Sequence, residues 1–379
     1  MRIEAVNPIE NKVLEYKHHI HANPEVGWQE VATSAYIKDK LNAVSVIEGL
    51  GENNTGAVFV VGDGKTSIFV RADIDALKTT DGPQHLCGHS THTAALMGAY
   101  YWLSDHEKEL TVQGKKVTFV FQPAEESFPS GARTFLNTYP EIFSRPKFGF
   151  GIHVRPNLPV GSIQIDKGPT WAANDIIQIN VEGRSAHIKD TPNGIDAIDG
   201  ATQIVQLFRK FQKDFPNFRR EIVFNFNVIQ GGVSSNTIAD NVYLKGAVRW
   251  IRKENKQKVK KFIHDLPDQL QQTYPGSITI DYIDEVPPVC ENDLELADEI
   301  TDYMERNTTF KVIRDGQISL GSEDFSYYTK SNRTLFSHIG IGSPYDLHDP
   351  RMVVSDKATL QVYQYWRNLL QWWITKQLG

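Results

Sequence analysis

Val117-Thr118-Phe119-Val120-Phe121-Gln122-Pro123-Ala124-Glu125-Glu126 passes from a β-branched and aromatic run directly into two adjacent carboxylates. Residues 117–121 have the composition of a buried strand, and Gln122-Pro123 ends it. An apolar strand that closes on polar residues is how an open α/β sheet presents side chains at its carboxyl edge. Outward from this stretch, residues 57–61 and 67–70 are also strand-like, split by Gly62-Asp63-Gly64, which reads as a hairpin turn. Residues 11–21, 29–43 and 91–105 have helical spacing or composition. The expected fold class is therefore α/β, with a mixed, mainly parallel sheet flanked by helices.

At 379 residues the chain exceeds what one hydrophobic core usually spans, so two domains are expected. Between 172 and 284 the pattern forms a self-contained series. Strands are expected at 175–181, 222–228, 242–250 and 278–283, with helices at 194–211 and 253–273, the latter kinked at Pro267. This β-α-β-β-α-β order is the ferredoxin-like α+β arrangement. Helices at 294–306 and 357–373 then flank a loop-rich stretch, 317–349. The reading is a discontinuous first domain, 1–171 with 285–379, and an inserted second domain, 172–284.

With 40% hydrophobic and 23% charged residues, the composition suits a globular chain. A formal net charge of −6 argues against a nucleic-acid partner, and the Lys-rich stretch 253–261 alternates with apolar positions like a solvated helix face. Two cysteines, Cys87 and Cys290, are too few for a disulfide framework, which fits a reduced, cytoplasmic setting. Residues 1–17 are charged and broken by Pro8, unlike a signal peptide. No apolar run approaches the roughly 18 residues of a membrane span, so no membrane partner is expected.

Three clusters carry the chemistry: His85-Leu86-Cys87-Gly88-His89-Ser90-Thr91-His92, the Glu125-Glu126 pair, and Gly151-Ile152-His153. Thiolate, imidazole and carboxylate are the ligand types that Zn²⁺, Mn²⁺, Co²⁺ or Ni²⁺ accept. Cys87 and His89, at i and i+2, share a face if the chain is extended there. Alone, the pair reads better as a buried small residue and a loop histidine, and only its surroundings favour the metal reading. One of the paired glutamates can bind metal while its neighbour stays free as a general base. An acidic pair at a helix N-terminus is the alternative, but it leaves the preceding strand unexplained. His153 closes the apolar run 148–152, and His348 sits in a turn-rich loop that can reach the same edge. Asp73 and Asp75 end a strand, where they either orient a metal-bound histidine or pair with Arg71. His18, His19 and His21 point different ways on a helix and read as surface or structural residues. In the insert, His187, Asn236 and the strand residue Arg249 can bind an oxyanion or a substrate carboxylate; loop and turn chemistry is the alternative.

Taken in order, these motifs resemble the M20 metallopeptidase family, in particular its amidohydrolase branch of N-acyl-amino-acid deacylases, hippurate hydrolases and auxin-conjugate hydrolases. The resemblance runs nearly end to end. It includes His21-Ala22-Asn23-Pro24-Glu25, Arg71-Ala72-Asp73-Ile74-Asp75-Ala76-Leu77, Cys87-Gly88-His89, Gln122-Pro123-Ala124-Glu125-Glu126 and Gly151-Ile152-His153. It continues through Ser185-Ala186-His187, Gly231-Gly232 with Asn236, Gly246-Ala247-Val248-Arg249, Gly321-Ser322-Glu323-Asp324-Phe325 and Leu347-His348.

The resemblance implies a catalytic domain holding two divalent ions, with the insert as a lid that often dimerises. It implies Cys87, His89, Glu126, His153 and His348 as metal ligands and Glu125 as general acid and base. Asp75 falls on a position behind the ligands, and His187, Asn236 and Arg249 fall on lid positions that reach the substrate. The expected activity is hydrolysis of small N-acyl, above all N-acetyl, amino acids, with a homodimer joined through the lid. A dipeptidase or aminopeptidase is the close alternative, with Glu323 or Asp324 available to hold a substrate ammonium group. A non-catalytic binding relative is a third, against which the spare carboxylate of Glu125 argues. Two departures stand out: Ser90 replaces the branch's aspartate after Cys-Gly-His, and the link 78–84 is short, which should reshape the acyl pocket.

Overall fold

The computed structural model describes residues 8–377 except 217 and 315, so part of the charged segment 1–17 lies outside the described residues. Two compact units emerge, Met1–Thr170 with Glu291–Gln317 and Asp324–Gly379, and Trp171–Cys290 with Ile318–Glu323.

In the first unit, β1 (Ala57–Val61), β2 (Thr66–Asp73), the hairpin strands β3 (Leu77–Thr79) and β4 (Gly82–Gln84), β5 (Lys115–Gln122), β6 (Phe148–Arg155) and β7 (Ser162–Gln164) precede the insert, and Lys311–Ile313 and Thr334–Gly340 follow it. A seven-stranded sheet runs β1, β5, β2, β6, Thr334–Gly340, β7, Lys311–Ile313. Strand β2 is parallel to both β5 and β6, and β6 is parallel to Thr334–Gly340. Strand β1 is antiparallel to β5, and β7 is antiparallel to Thr334–Gly340. The sheet is mixed with a parallel centre, as expected. Its central strands are buried along almost their whole length, because helices cover both faces.

The hairpin reading of 57–70 is wrong. Strand β5, from nearly fifty residues downstream, lies between β1 and β2. The Gly62-Asp63-Gly64 turn is instead folded over the start of β5, where Gly64 N–H donates to Lys115 O at 3.3 Å. A Cβ on Gly64 would meet the Gly114 carbonyl carbon at 2.0 Å, so the glycine answers a close approach rather than a two-strand turn.

Helices α1 (Pro8–Ala22) and α3 (His89–Asp105), which α2 (Val31–Leu41) separates in the chain, pack together with the C-terminal helix Asp356–Thr375. Val13, Tyr16, Ile20, Leu96, Val362 and Trp366 all belong to that core. The C-terminal helix ends on a buried cation: Lys115 Nζ donates to Trp373 O at 2.8 Å and Ile374 O at 3.0 Å, satisfying carbonyls that have no partner within the helix.

The second unit carries a four-stranded sheet of Ile222–Gly231, Asn241–Trp250, Ala173–Glu182 and Ser277–Ile283, in that order and antiparallel throughout. With helix Ala197–Asp214 after the first strand and Lys253–His264 after the third, this is the ferredoxin-like order and topology. The second helical stretch breaks in two before Pro267 instead of kinking at it. Leu266–Leu270 is a separate helix, and Pro267 sits in its first turn, where no backbone donor is needed.

Candidate metal centre

Adjacent strands β5, β2 and β6 run parallel, so their carboxyl ends deliver Glu125 and Glu126, Asp73 and Asp75, and His153 to one edge of the sheet. Cys87 and His89 do not share a strand face. Gly88, with φ of 91°, turns the chain into α3, and His89 is the first residue of that helix. A Cβ at Gly88 would lie 2.4 Å from Val154 Cγ2, so α3 meets β6 at the one residue able to allow both the conformation and the contact. His153 lies within β6 rather than ending it, since the strand continues to Arg155.

Ligand-type atoms converge within 4.8 Å in two groups that share a thiol: Cys87, His89 and His153, and Cys87, Glu126 and His348. Cys87 Sγ is 3.3 Å from His153 Nε2 and 3.3 Å from His348 Nε2. His348 is also 3.4 Å from Glu126 Oε1 and is reached through a backbone with φ of 70°. Its amide donates to Leu86 O at 2.9 Å, which ties the late loop to the Cys87 segment.

Neighbouring groups settle the tautomers. His153 Nδ1 faces its acceptor, Val154 O, at 2.7 Å, so the proton sits there and Nε2 carries the lone pair. His89 Nδ1 likewise donates to Asp75 O at 3.0 Å and approaches Asp75 Oδ1 at 3.2 Å, leaving Nε2 buried without a hydrogen-bond partner among the described residues. Asp75 also accepts the Glu126 amide at 3.0 Å, so one buried carboxylate orients two candidate ligands.

The charge balance suits a cation. Burial, together with Glu126 and Glu125, pushes the Cys87 thiol well up, so a thiolate there requires positive charge beside it. Burial works against a charged ring at His89, but Asp73, Asp75 and Glu126 outweigh it and lift the group to about 10. Negative charge that favours a proton at that point favours a metal ion equally. His153 is held neutral by burial and by His92. The lone pair of His153 Nε2, a thiol, a carboxylate and the His89 Nε2, which makes no hydrogen bond among the described residues, thus fit the implied divalent ions.

Glu125 remains outside the shared thiol groups, half-buried, with the Asp324 amide 3.4 Å from its Oε1. It can still join His89 and Glu126 in a third cluster. Asp324 is not free to hold a substrate ammonium group. Arg71 donates to it at 2.7 Å, Gln122 Nε2 at 2.9 Å and the Ala132 amide at 2.9 Å, all out of solvent. Arg71 also pairs with Asp73 at 3.0 Å, the ion-pair alternative weighed for it, while the histidine that Asp73 holds, at 2.6 Å, is His92, which is not among the candidate ligands.

His18 pairs with Asp356 at 2.9 Å and His19 stacks on Tyr36, as expected of surface and structural residues. His21 Nδ1 meets Ser90 Oγ at 3.3 Å, so Ser90 is turned toward α1. The short link forms the β3–β4 hairpin, closed by Thr79 Oγ1 donating to Gly82 O at 2.7 Å. In the second unit His187 is exposed, Asn236 accepts from Ser234 Oγ at 2.6 Å, and Arg249 donates to Ser322 Oγ at 3.0 Å. Sequence reasoning missed His92 and Glu30. His92 lies one helical turn after His89, which is a usable signal; nothing local marks Glu30.

Residues 69–372 match Peptidase family M20/M25/M40. The chain is 27% identical over 369 residues to an N-acetyl-L-cysteine deacetylase of Bacillus subtilis (strain 168), covering 94% of this chain and 86% of that protein. It is 28% identical over 359 residues to an N-acetyldiaminopimelate deacetylase of Priestia megaterium, covering 90% and 93%. A Bacillus subtilis structure described as a dinuclear metal binding peptidase from the M20 family superposes with a TM-score of 0.78 at 26% identity, covering 95% and 97%. Its fold, its converging ligand atoms and these likenesses agree: the chain is a hydrolase of amide bonds and belongs to peptidase family M20/M25/M40.

Proposed function

We propose that this enzyme removes the acyl group, foremost acetyl, from small N-acylated amino acids. The observation that carries the reading is two imidazole Nε2 atoms meeting one thiol at 3.3 Å, with a further carboxylate, Glu125, outside the groups that share it. Cys87, His89, Glu126, His153 and His348 would hold two divalent ions, drawn from Mn²⁺, Zn²⁺, Co²⁺ and Ni²⁺. Held there, such ions acidify a water and polarise the scissile carbonyl. Glu125 takes the water's proton and passes it to the departing amine. Asp75 keeps His89 and the Glu126 backbone in register. In the second unit, His187 donates to the developing oxyanion, while Arg249 and Asn236 bind the substrate carboxylate. The deacetylase activities named for the relatives support an N-acyl amino acid as substrate.

We further propose a homodimer through the second unit and a cytoplasmic location. Both cysteines are buried and no disulfide joins them, and among the described residues no helix is long and apolar enough to cross a membrane. Hydrolysis of N-acetyl-L-cysteine, other N-acetyl amino acids and dipeptides, each with added Mn²⁺, Co²⁺, Ni²⁺ or Zn²⁺, tests the substrate. Release of acetate is expected; cleavage of dipeptides alone would replace the deacylase reading with a peptidase. Light scattering on the purified enzyme tests the dimer.

A further inference from the structure

Asp73, His89 and His92 also bring three ligand-type atoms within 4.8 Å, yet His92 has no nitrogen to spare. The Val154 amide donates to its Nε2 at 3.0 Å, so that nitrogen carries the lone pair. Its proton is therefore on Nδ1, which donates to Asp73 Oδ1 at 2.6 Å. Asp73 is anchored in turn: Arg71 donates to Oδ2 at 3.0 Å and Thr93 Oγ1 to the backbone carbonyl at 2.7 Å. Arg71, Asp73, His92 and Thr93 are all 0% exposed.

Val154 is the residue whose carbonyl fixes the His153 ring and whose side chain presses on Gly88, between Cys87 and His89. One imidazole thus joins the end of β2, the first turn of α3 and the part of β6 that carries His153. We propose that His92 is a positioning residue: by accepting the Val154 amide it holds the β6 backbone that aims His153 Nε2 at Cys87. The inference rests on the reading of these residues as a metal centre. Ligand atoms displaced by fractions of an ångström lose affinity, and partners behind the ligands matter for that reason.

The rival explanation is that His92 is buried only to satisfy the Asp73 carboxylate. Three substitutions separate the two. His92→Phe removes both bonds. His92→Gln places an amide near the Nε2 position and can still accept the Val154 N–H, whereas His92→Asn reaches the Nδ1 position and can still donate to Asp73. The readouts are metal bound per chain, Co²⁺ affinity against a competing chelator and the visible absorption of the Co²⁺ form, with circular dichroism as the check on folding. Expected is a loss of roughly 10–100-fold in affinity for His92→Phe, with His92→Gln nearer to the unsubstituted enzyme than His92→Asn. His92→Asn matching or exceeding His92→Gln would overturn the proposal, and this ordering decides the matter even where His92→Phe does not fold. If the unsubstituted enzyme binds two ions and His92→Phe binds them as tightly, the positioning role fails while the metal centre stands. No metal uptake by the unsubstituted enzyme would remove the centre itself, and the inference with it.

Discussion

The two sheets bury their residues in different ways. Strands β2, β5 and β6 are buried on both faces, whereas in the second unit Ala173–Glu182 alternates buried with half-exposed and Ser277–Ile283 alternates exposed with half-exposed. A sheet covered on both sides can offer chemistry only at its edge, and there the first unit concentrates ionisable groups away from water: Glu30, Arg71, Asp73, Asp75 and Asp324 are 0–2% exposed. In the second unit Asp175, Glu323 and the Cys290 thiol are buried as deeply, and Asp175, in the four-stranded sheet, is addressed by Trp250 Nε1, Tyr282 Oη and the Glu285 amide, all within 2.7 Å. Buried charge around Asp175 is thus a closed structural knot. In the first unit it leads outward to His89 and Glu126, two of the proposed metal ligands.

The largest effect should fall on the edge of the first sheet. Glu125→Gln removes the proposed proton carrier but none of the five proposed ligands, so turnover should drop by about 10²–10⁴-fold with bound metal unchanged. Assays of hydrolysis and metal content on the same preparation check this, and unsubstituted turnover would refute the base assignment. Next comes the network beneath. Arg71→Met leaves Asp73 and Asp324 without their cation and should cost about 3–5 kcal/mol in denaturant unfolding. A cost under 1 kcal/mol would mean that the buried charges of the first unit are not coupled as the distances imply.

Much of this edge was legible in the sequence for a physical reason: a buried strand ending in polar residues is a local pattern, and β2, β5 and β6 each display it. What escaped was non-local. The glycines at 62 and 64 imitate a hairpin because a turn's composition does not reveal that a strand from residue 115 onward will slide between its arms. Cys87-x-His89 suggested an extended segment because the left-handed Gly88 cannot be distinguished in sequence from an ordinary loop glycine. Asp324 looked available because its partner, Arg71, lies more than 250 residues earlier. The motif resemblance supplied the assignments of His348 and the insert residues, since no spacing argument connects them to the early motifs.

Glu30 sharpens the comparison through pH. Its Oε1 accepts the Ala124 amide at 2.7 Å, just before the paired glutamates. Burial, with Asp75 adding repulsion, raises its carboxyl from 4.5 to about 8. The native state therefore holds a proton that the unfolded chain has released, so the associated stability is complete below about pH 4.5 and is lost as pH rises through about 8. Glu30→Gln keeps an acceptor for the amide but cannot ionise. Relative to the unsubstituted enzyme it should gain on the order of a few kcal/mol between pH 5.5 and 8.5, measured as the widening gap between their urea midpoints. A gap that stays constant with pH would mean that Glu30 is ionised in the folded enzyme.

The smallest effect belongs to the second unit. Lys260 Nζ lies 2.8 Å from Asp284 Oδ2, a contact as short as the Arg71–Asp324 pair to within about 0.1 Å, but both side chains are more than 40% exposed. Distance alone would rank the two pairs together. Exposure separates them, because Lys260 and Asp284 exchange their contact for water on unfolding, and Asp284 keeps Lys256 at 2.7 Å when Lys260 is removed. Lys260→Met, which preserves the apolar stem, should therefore cost less than about 1 kcal/mol in the same unfolding measurement used for Arg71→Met, and less again in high salt. Equal costs for the two substitutions would show that solvent exposure does not divide the units energetically, and the contrast between a sheet that works at its edge and one that works as a frame would lose its physical basis.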